Sequence, residues 1–324
     1  MRNLPELINN FSLLDWALLK AQSFKKIEIL KRVTFSHSLV PYLFVLPQIV
    51  IIIIFFLWPS FEAVKLSFYL EDPWGLSSEF VWFENYQTIF EDPEYVGTLI
   101  ATLIFSFSVT FLSLGLAMLL AVQVDGLLHG GGTYRPLITW AYAIAPAVAG
   151  LVARFLFSPQ IGPIYDLLNP DGQPPWFEPA LDSIDAWVVI TSGAVWRQVS
   201  VNFIFLLAGL QSIPRSVLEA SRIDNPSGFR RFWSVTFPLL APTLFFLMVI
   251  NFSYAFFETF AIIDTVFPFG PPSGAASLVY KVYVDGFKGA DLGGSSAQSV
   301  VLMLFVLALT VVQFRYLEKK YAKC

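Results

Sequence analysis

Six long apolar stretches, nearly free of charge, constrain this chain more than any other feature of it. A bilayer core about 30 Å thick takes about 20 predominantly apolar residues to cross as a helix. The first two stretches, Leu39 to Trp58 and Gly97 to Val122, hold no charged residue. The third, Pro136 to Phe157, carries Arg154 near its end, and the fourth, Ala186 to Leu210, carries Arg197 near its middle. The fifth, Val235 to Ile263, has Glu258 in its last third, and the sixth, Ala297 to Phe314, is again uncharged. Backbone amides have no partner in hydrocarbon, so such runs must close their hydrogen bonds internally as helices. The expected fold is therefore all-α and membrane-embedded, with six transmembrane helices. Composition agrees, since 56% of the residues are hydrophobic and 14% charged, against roughly 25% charged in soluble domains.

Basic residues set the expected orientation. Arg2, Lys20, Lys25, Lys26, Lys31 and Arg32 precede the first span, whereas Lys65 stands almost alone among acids in the next loop. The loop between spans four and five holds Arg215, Arg222, Arg230 and Arg231, and the tail after residue 314 holds Arg315, Lys319, Lys320 and Lys323. Basic loops stay cytoplasmic, which places both termini inside. Residues 1–38 are too charged and interrupted to read as a signal peptide. Within them, Leu7 to Leu19 followed by Lys20, Lys25 and Lys26 suits either an interfacial amphipathic helix on anionic lipid or a weakly ordered tail. The organisation expected is a cytoplasmic extension over 1–38, a membrane domain over 39–314 with a cytoplasmic loop over 212–238, and a cytoplasmic tail over 315–324. The single cysteine, Cys324, and two histidines, His37 and His129, support neither a disulfide nor a metal site.

Ser212 to Pro242 is too regular for a simple connector. Pro214 suits the first turn of a helix, with Ser216 as an N-cap and Glu219 as its capping-box partner. Asn225 and Pro226 then stop it, because asparagine tolerates the left-handed conformation and proline cannot continue a helix. Ser227 can cap a second short helix carrying Phe229, Phe232 and Trp233 toward Pro238. By physics alone this unit is a rigid reversal or a docking element.

The residue string adds a resemblance. Glu219, Ala220 and Ser221, then Asn225, then Val235, Phe237 and Pro238 keep the spacing of the EAA loop in permeases of binding-protein-dependent ABC importers. The frame of that loop is Glu-Ala-Ala, three residues, Gly, nine residues, Ile, one residue, Leu-Pro. Ser221, Val235 and Phe237 are mild departures; Asn225 replaces a glycine, and supplies a positive φ if that is what the glycine is for, but not its close approach. The stretches LVPYLFVLPQIVI, AIAPAVAGLV, LQSIPRSVLEA, INFSYAFFETFAIID and SLVYKVYVDGF further resemble the sn-glycerol-3-phosphate branch of that family, from about Ser38 onward. The resemblance implies a type I ABC importer permease fold and a cytoplasmic loop inserted in an ATPase cleft. Glu219, Ala220, Ser221, Arg222, Asp224, Asn225 and Pro238 would make that junction. It also implies a heterodimer with a second permease, two ATPase subunits, a periplasmic binding protein, and ATP with Mg held by the ATPase. No GxxxxGK[ST] phosphate loop occurs here, so no ATPase site is expected in this chain, and no nucleic-acid partner.

An arginine at the centre of a span costs about 2.5 to 3.5 kcal/mol and needs a protein or water environment. Arg197, Gln198 and Asn202 give span four a polar face, opposite Asn251, Tyr254 and Glu258 on span five, and the two faces are expected to line a shared translocation route. Arg197 suits a cationic contact to phosphate, an ion pair with Glu258, or hydrogen bonds that only fix packing. Arg154 is expected to snorkel, and Asp264 and Lys281 to be solvated. The expected cargo is sn-glycerol-3-phosphate or a glycerophosphodiester, moved inward by alternating access. A disaccharide permease and an ion-driven secondary transporter are the rivals, the latter lacking a visible repeat. No convergent catalytic cluster points to an enzyme.

Overall fold

The computed structural model describes residues 39–72, 77–126, 131–170, 175–224 and 227–321. The proposed helix at Leu7 to Leu19, Asn225 with Pro226, and the last three residues lie outside them. Two units are distinguished, dividing after Phe61. The described part of the first unit, residues 39–61, is helical, with exposed side chains over residues 42–61. It belongs to the span α1, Pro41–Leu66.

The second unit begins with a hairpin, β1 (Tyr69–Glu71) antiparallel to β2 (Ser78–Phe80), and a short helix α2 (Glu84–Glu91). Asn85 donates to the carbonyls of Ser67 and Tyr69, pinning α2 to the hairpin. Helix α3 (Pro93–Asp125) then crosses. Its start is written in sequence: Asp92 Oδ1 accepts the Glu94 amide at 2.9 Å and Pro93 sits in the first turn. Its buried stripe includes Thr98, Thr102, Ser106, Val109, Ser113, Ala117 and Ala121, while Ile100, Ile104, Phe107, Phe111 and Leu119 are exposed. Lipid is as apolar as leucine, so small and hydroxylated residues, which let backbones approach, go inside.

The third expected span is not one straight helix. Helix α4 (Gly131–Thr139) passes through a 3-10 turn, Trp140–Ala143, and α5 (Pro146–Leu156) leaves at 105° to it. Ile144 and Ala145 are extended (ψ 134° and 144°). A proline disfavours the helical conformation in the residue before it and opens a helix well, so Pro146 ends one helix and starts the next. A short α6 (Pro163–Leu168) follows. Helix α7 (Ser183–Ser212) is capped by Asp182, whose Oδ1 accepts from Ile184 and Asp185.

The loop helix α8 (Arg215–Asp224) leads to α9, Gly228–Phe257. Ser216 lies inside α8 rather than at its cap, because Pro214 already accepts the first helical bonds from Val217 and Leu218. The expected second short helix is not separate: it is the loop end of α9. Continuity past Pro238, which has no N–H, is kept by a π-turn at Phe232–Thr236 that absorbs the extra residue. The same device, Ile53–Leu57, precedes Pro59 in α1. Span five ends at Phe257, earlier than expected, and α10 (Phe260–Val266) packs on α5. A Cβ on Gly150 would stand 2.8 Å from the Ile262 carbonyl, so only glycine allows this crossing. Helices α11 (Leu278–Tyr283) and α12 (Leu292–Tyr321) complete the unit, α12 running past residue 314.

Among the described residues, five helices can span a membrane by length and composition, and the broken α4–α5 pair taken as one span makes a sixth. Packing within the second unit leaves a core at each level: Leu114, Ala117, Phe203, Leu206, Leu240 and Leu247 near the α8 end, and Phe105, Val189, Ile190, Tyr254, Ile262 and Ile263 farther from it.

Candidate functional site

Two places hold the polar residues singled out by sequence. At the loop end, α8 buries Ser221, half-buries Leu218, and exposes Glu219, Ala220, Arg222 and Asp224. Ser221 Oγ donates to the Leu218 carbonyl, 2.7 Å away, so its hydroxyl is spent within the helix and only its small size is used outward. Pro238 is exposed on α9. Arg222 lines a cavity of about 170 Å³ with Asp125 and Arg231. Sequence reasoning missed one apolar residue here. Ile223 is 85% exposed, and Phe229, expected on the second loop helix, is 78% exposed with Trp233 edge-on beside it. The signal was available, since Ile223 falls off the face that Leu218 and Ser221 share.

Midway along α7, Arg197 is only 9% exposed. Its Nε donates to the Ile144 carbonyl at 3.3 Å, a group freed by the break between α4 and α5. The guanidinium lies 5.3 Å from the Tyr142 ring centroid and 5.5 Å from that of Tyr254, within cation–π range. Among the described residues Arg197 has no carboxylate within ion-pair distance. Glu258 is exposed at the end of α9, its amide bonded to Tyr254, so the structure does not bring it to Arg197. One turn on, Ser200 donates to the Ile138 carbonyl at 2.7 Å. The face of α7 expected to meet span five alone thus meets the broken span as well. Sequence reasoning found Arg197 and missed Tyr142 and Ile144, whose role depends on the bend.

Asn202, Asn251 and Ser113 form a separate cluster joining α7, α9 and α3. Asn251 Nδ2 donates to Asn202 Oδ1 at 2.8 Å and Asn202 Nδ2 to Asn251 Oδ1 at 3.1 Å. Asn202 Nδ2 also lies 3.0 Å from Ser113 Oγ, which lies 3.0 Å from Asn251 Oδ1. All three are fully buried. Gln198 is buried on α7 between the two clusters.

Residues 134–323, which contain α8, Arg197 and the asparagine pair, match the family model described as binding-protein-dependent transport system inner membrane component. The chain belongs to that family. It is 47% identical over 291 residues to the sn-glycerol-3-phosphate transport system permease protein UgpA of Agrobacterium fabrum, covering 90% of this chain and 99% of that one. The protein of the same description from Pectobacterium atrosepticum is 45% identical, covering 89% and 97%. Among solved structures, a chain of a bacterial alginate ABC transporter, crystallised with an alginate-loaded periplasmic protein, superposes with a TM-score of 0.72 at 20% identity, covering 85% and 92%. At that identity the likeness is one of fold. This inner membrane component therefore has the type I ABC importer permease fold.

At the end of this permease away from α8, one expectation is corrected. Lys281 is not a solvated loop charge: its side chain is 12% exposed, with Asp285 at 3.3 Å, Glu94 at 3.8 Å and Asp92 at 3.9 Å. Gln298 Nε2 donates to Asp285 at 2.7 Å. Helix α11 folds back onto the starts of α3 and α12, and the start of α3 supplies two of the three carboxylates. Among the described residues no acid, cysteine or histidine group could hold a metal.

Proposed function

We propose that this chain is the membrane-spanning permease of an ATP-driven importer for sn-glycerol-3-phosphate or its glycerophosphodiesters. The observation that carries this reading is identity of 45 to 47% over about nine-tenths of the chain to permeases of the sn-glycerol-3-phosphate transport system. The partners are a second permease, two ATPase subunits and a periplasmic binding protein, with ATP and Mg held by the ATPase. Both termini and α8 face the cytoplasm, by the loop-charge asymmetry. The exposed Glu219, Ala220, Arg222, Ile223 and Asp224 of α8 dock in the ATPase, with Asn225 and Pro238 flanking the contact. Its apolar centre and charged rim suit a protein partner. Arg197, Gln198 and Tyr254 wall the route, Asn202 and Asn251 hold that wall in place, and Glu258 lies at its exposed end.

The test is uptake by the four-component complex in proteoliposomes. We expect sn-glycerol-3-phosphate to enter only with ATP inside, and to do so despite an uncoupler. Uptake that needs an ion gradient instead would sink the importer reading, and competition by a neutral disaccharide would sink the substrate. Glu219→Lys, a reversed charge at the docking face, is expected to cut substrate-stimulated ATP hydrolysis at least about tenfold.

A further inference from the structure

Arg197 carries more hydrogen-bonding capacity than its surroundings use. A guanidinium has five N–H donors, and the bond of Nε to the Ile144 carbonyl is the one hydrogen bond Arg197 makes among the described residues. Beside it the Tyr254 hydroxyl is buried, close to Arg197 itself, and makes no hydrogen bond of normal geometry among the described residues. A buried hydroxyl without a good hydrogen bond is costly, and so is a buried arginine at mid-span. Both losses fall at one point, while the asparagine cluster about one and a half turns along α7 is closed on itself. On the broken span beside this point, Tyr142 and Trp140 are about half-exposed, and Trp140 packs edge-on to Trp196, Arg197's neighbour on α7.

From this geometry we propose that Arg197 and the Tyr254 hydroxyl form a selective contact for the phosphate of a small phosphate ester, reached past Tyr142 at the break between α4 and α5. Without cargo, Arg197 rests on the Ile144 carbonyl and two aromatic faces, each a weaker partner than an anion. A phosphate offers charged oxygens that pair with the fork of a guanidinium in two parallel bonds, and a further oxygen for the Tyr254 O–H. The exchange draws the guanidinium from the Ile144 carbonyl and so couples cargo to the broken span. Irregular backbone is tolerated at membrane depth where it is buried in protein or lines a wet cavity. The aromatic rim of Trp140 and Tyr142 suits the carbon-bound hydrogens of a glycerol moiety, whereas a neutral sugar leaves the arginine uncompensated. The contact rests on the substrate proposed above.

The test uses the whole complex in proteoliposomes with labelled sn-glycerol-3-phosphate and saturating binding protein. The unaltered complex comes first: if it does not take up the label, the substrate reading fails and not the contact. Given uptake, Arg197→Gln is expected to lower the maximal rate about tenfold or more, as for a lost charge-assisted bond. Arg197→Lys should recover part of it, and Tyr254→Phe should lose roughly two- to tenfold. The KM for loaded binding protein should stay unchanged, since that protein docks elsewhere, and co-purification of the other subunits reports assembly. Arg154→Gln, at the exposed end of α5, serves as the control and should stay within about twofold. An undiminished maximal rate in Arg197→Gln or Tyr254→Phe overturns the contact. If Arg197→Gln does not assemble, Tyr254→Phe decides alone, because it removes one oxygen and leaves the ring in place.

Discussion

Helix α7 carries two buried polar centres about one and a half turns apart, and they are built on opposite terms. Asn202 exchanges hydrogen bonds with Asn251 while Ser113 bridges them, so three helices meet with their amides paired. Among the described residues, Arg197 has one carbonyl, two aromatic faces and a neighbouring hydroxyl that makes no hydrogen bond of normal geometry. A closed polar cluster in a membrane protein holds helices together. An open one holds capacity in reserve for something that arrives. Polarity along a span is therefore a poor guide to function until the partners are counted.

The contrast can be broken by experiment. Asn251→Ala leaves Asn202 and Ser113 short of partners and is expected to lower the stability of the solubilised chain by about 1 to 3 kcal/mol. Thermal denaturation of the purified complex reads this, and uptake per assembled complex should fall less than in Arg197→Gln. A large loss of uptake with unchanged stability would move Asn251 into the route. A double-mutant cycle of Asn202→Ala with Asn251→Ala should return a coupling of about 0.6 kcal/mol, the usual size for such bonds inside membranes. Ser113→Ala should cost the least, about half a kcal/mol or less, because the asparagines keep their mutual bonds. A Ser113 effect exceeding that of Asn251 would mean the serine, not the amide pair, joins the helices.

Much of the fold was legible in the residues. Each of the six apolar runs lies mostly in helix, and Asp92 with Pro93 marks the start of α3. The first helix expected in the loop is there, exposed, with Ser221 turned inward. What was misread shares one cause. Ser216 looked like a cap, Glu258 like a partner for Arg197, and Lys281 like a free charge. Each reading took a local pattern as if nothing else approached. Pro214 outcompeted Ser216 for the first turn, the early end of α9 carried Glu258 away, and α11 folding back surrounded Lys281 with three carboxylates.

By itself the sequence determined that this chain lies in a membrane and roughly where it crosses. Those properties follow from transfer free energies and spacing, which add up residue by residue along the chain. Only the tertiary structure decided what the buried polar groups do. Pro146 signalled a boundary, but the 105° bend, the freed Ile144 carbonyl and its meeting with Arg197 depend on how α4, α5 and α7 pack. A hydrogen bond is satisfied or left open by groups distant in sequence, so no local pattern separates the closed asparagine cluster from the open arginine.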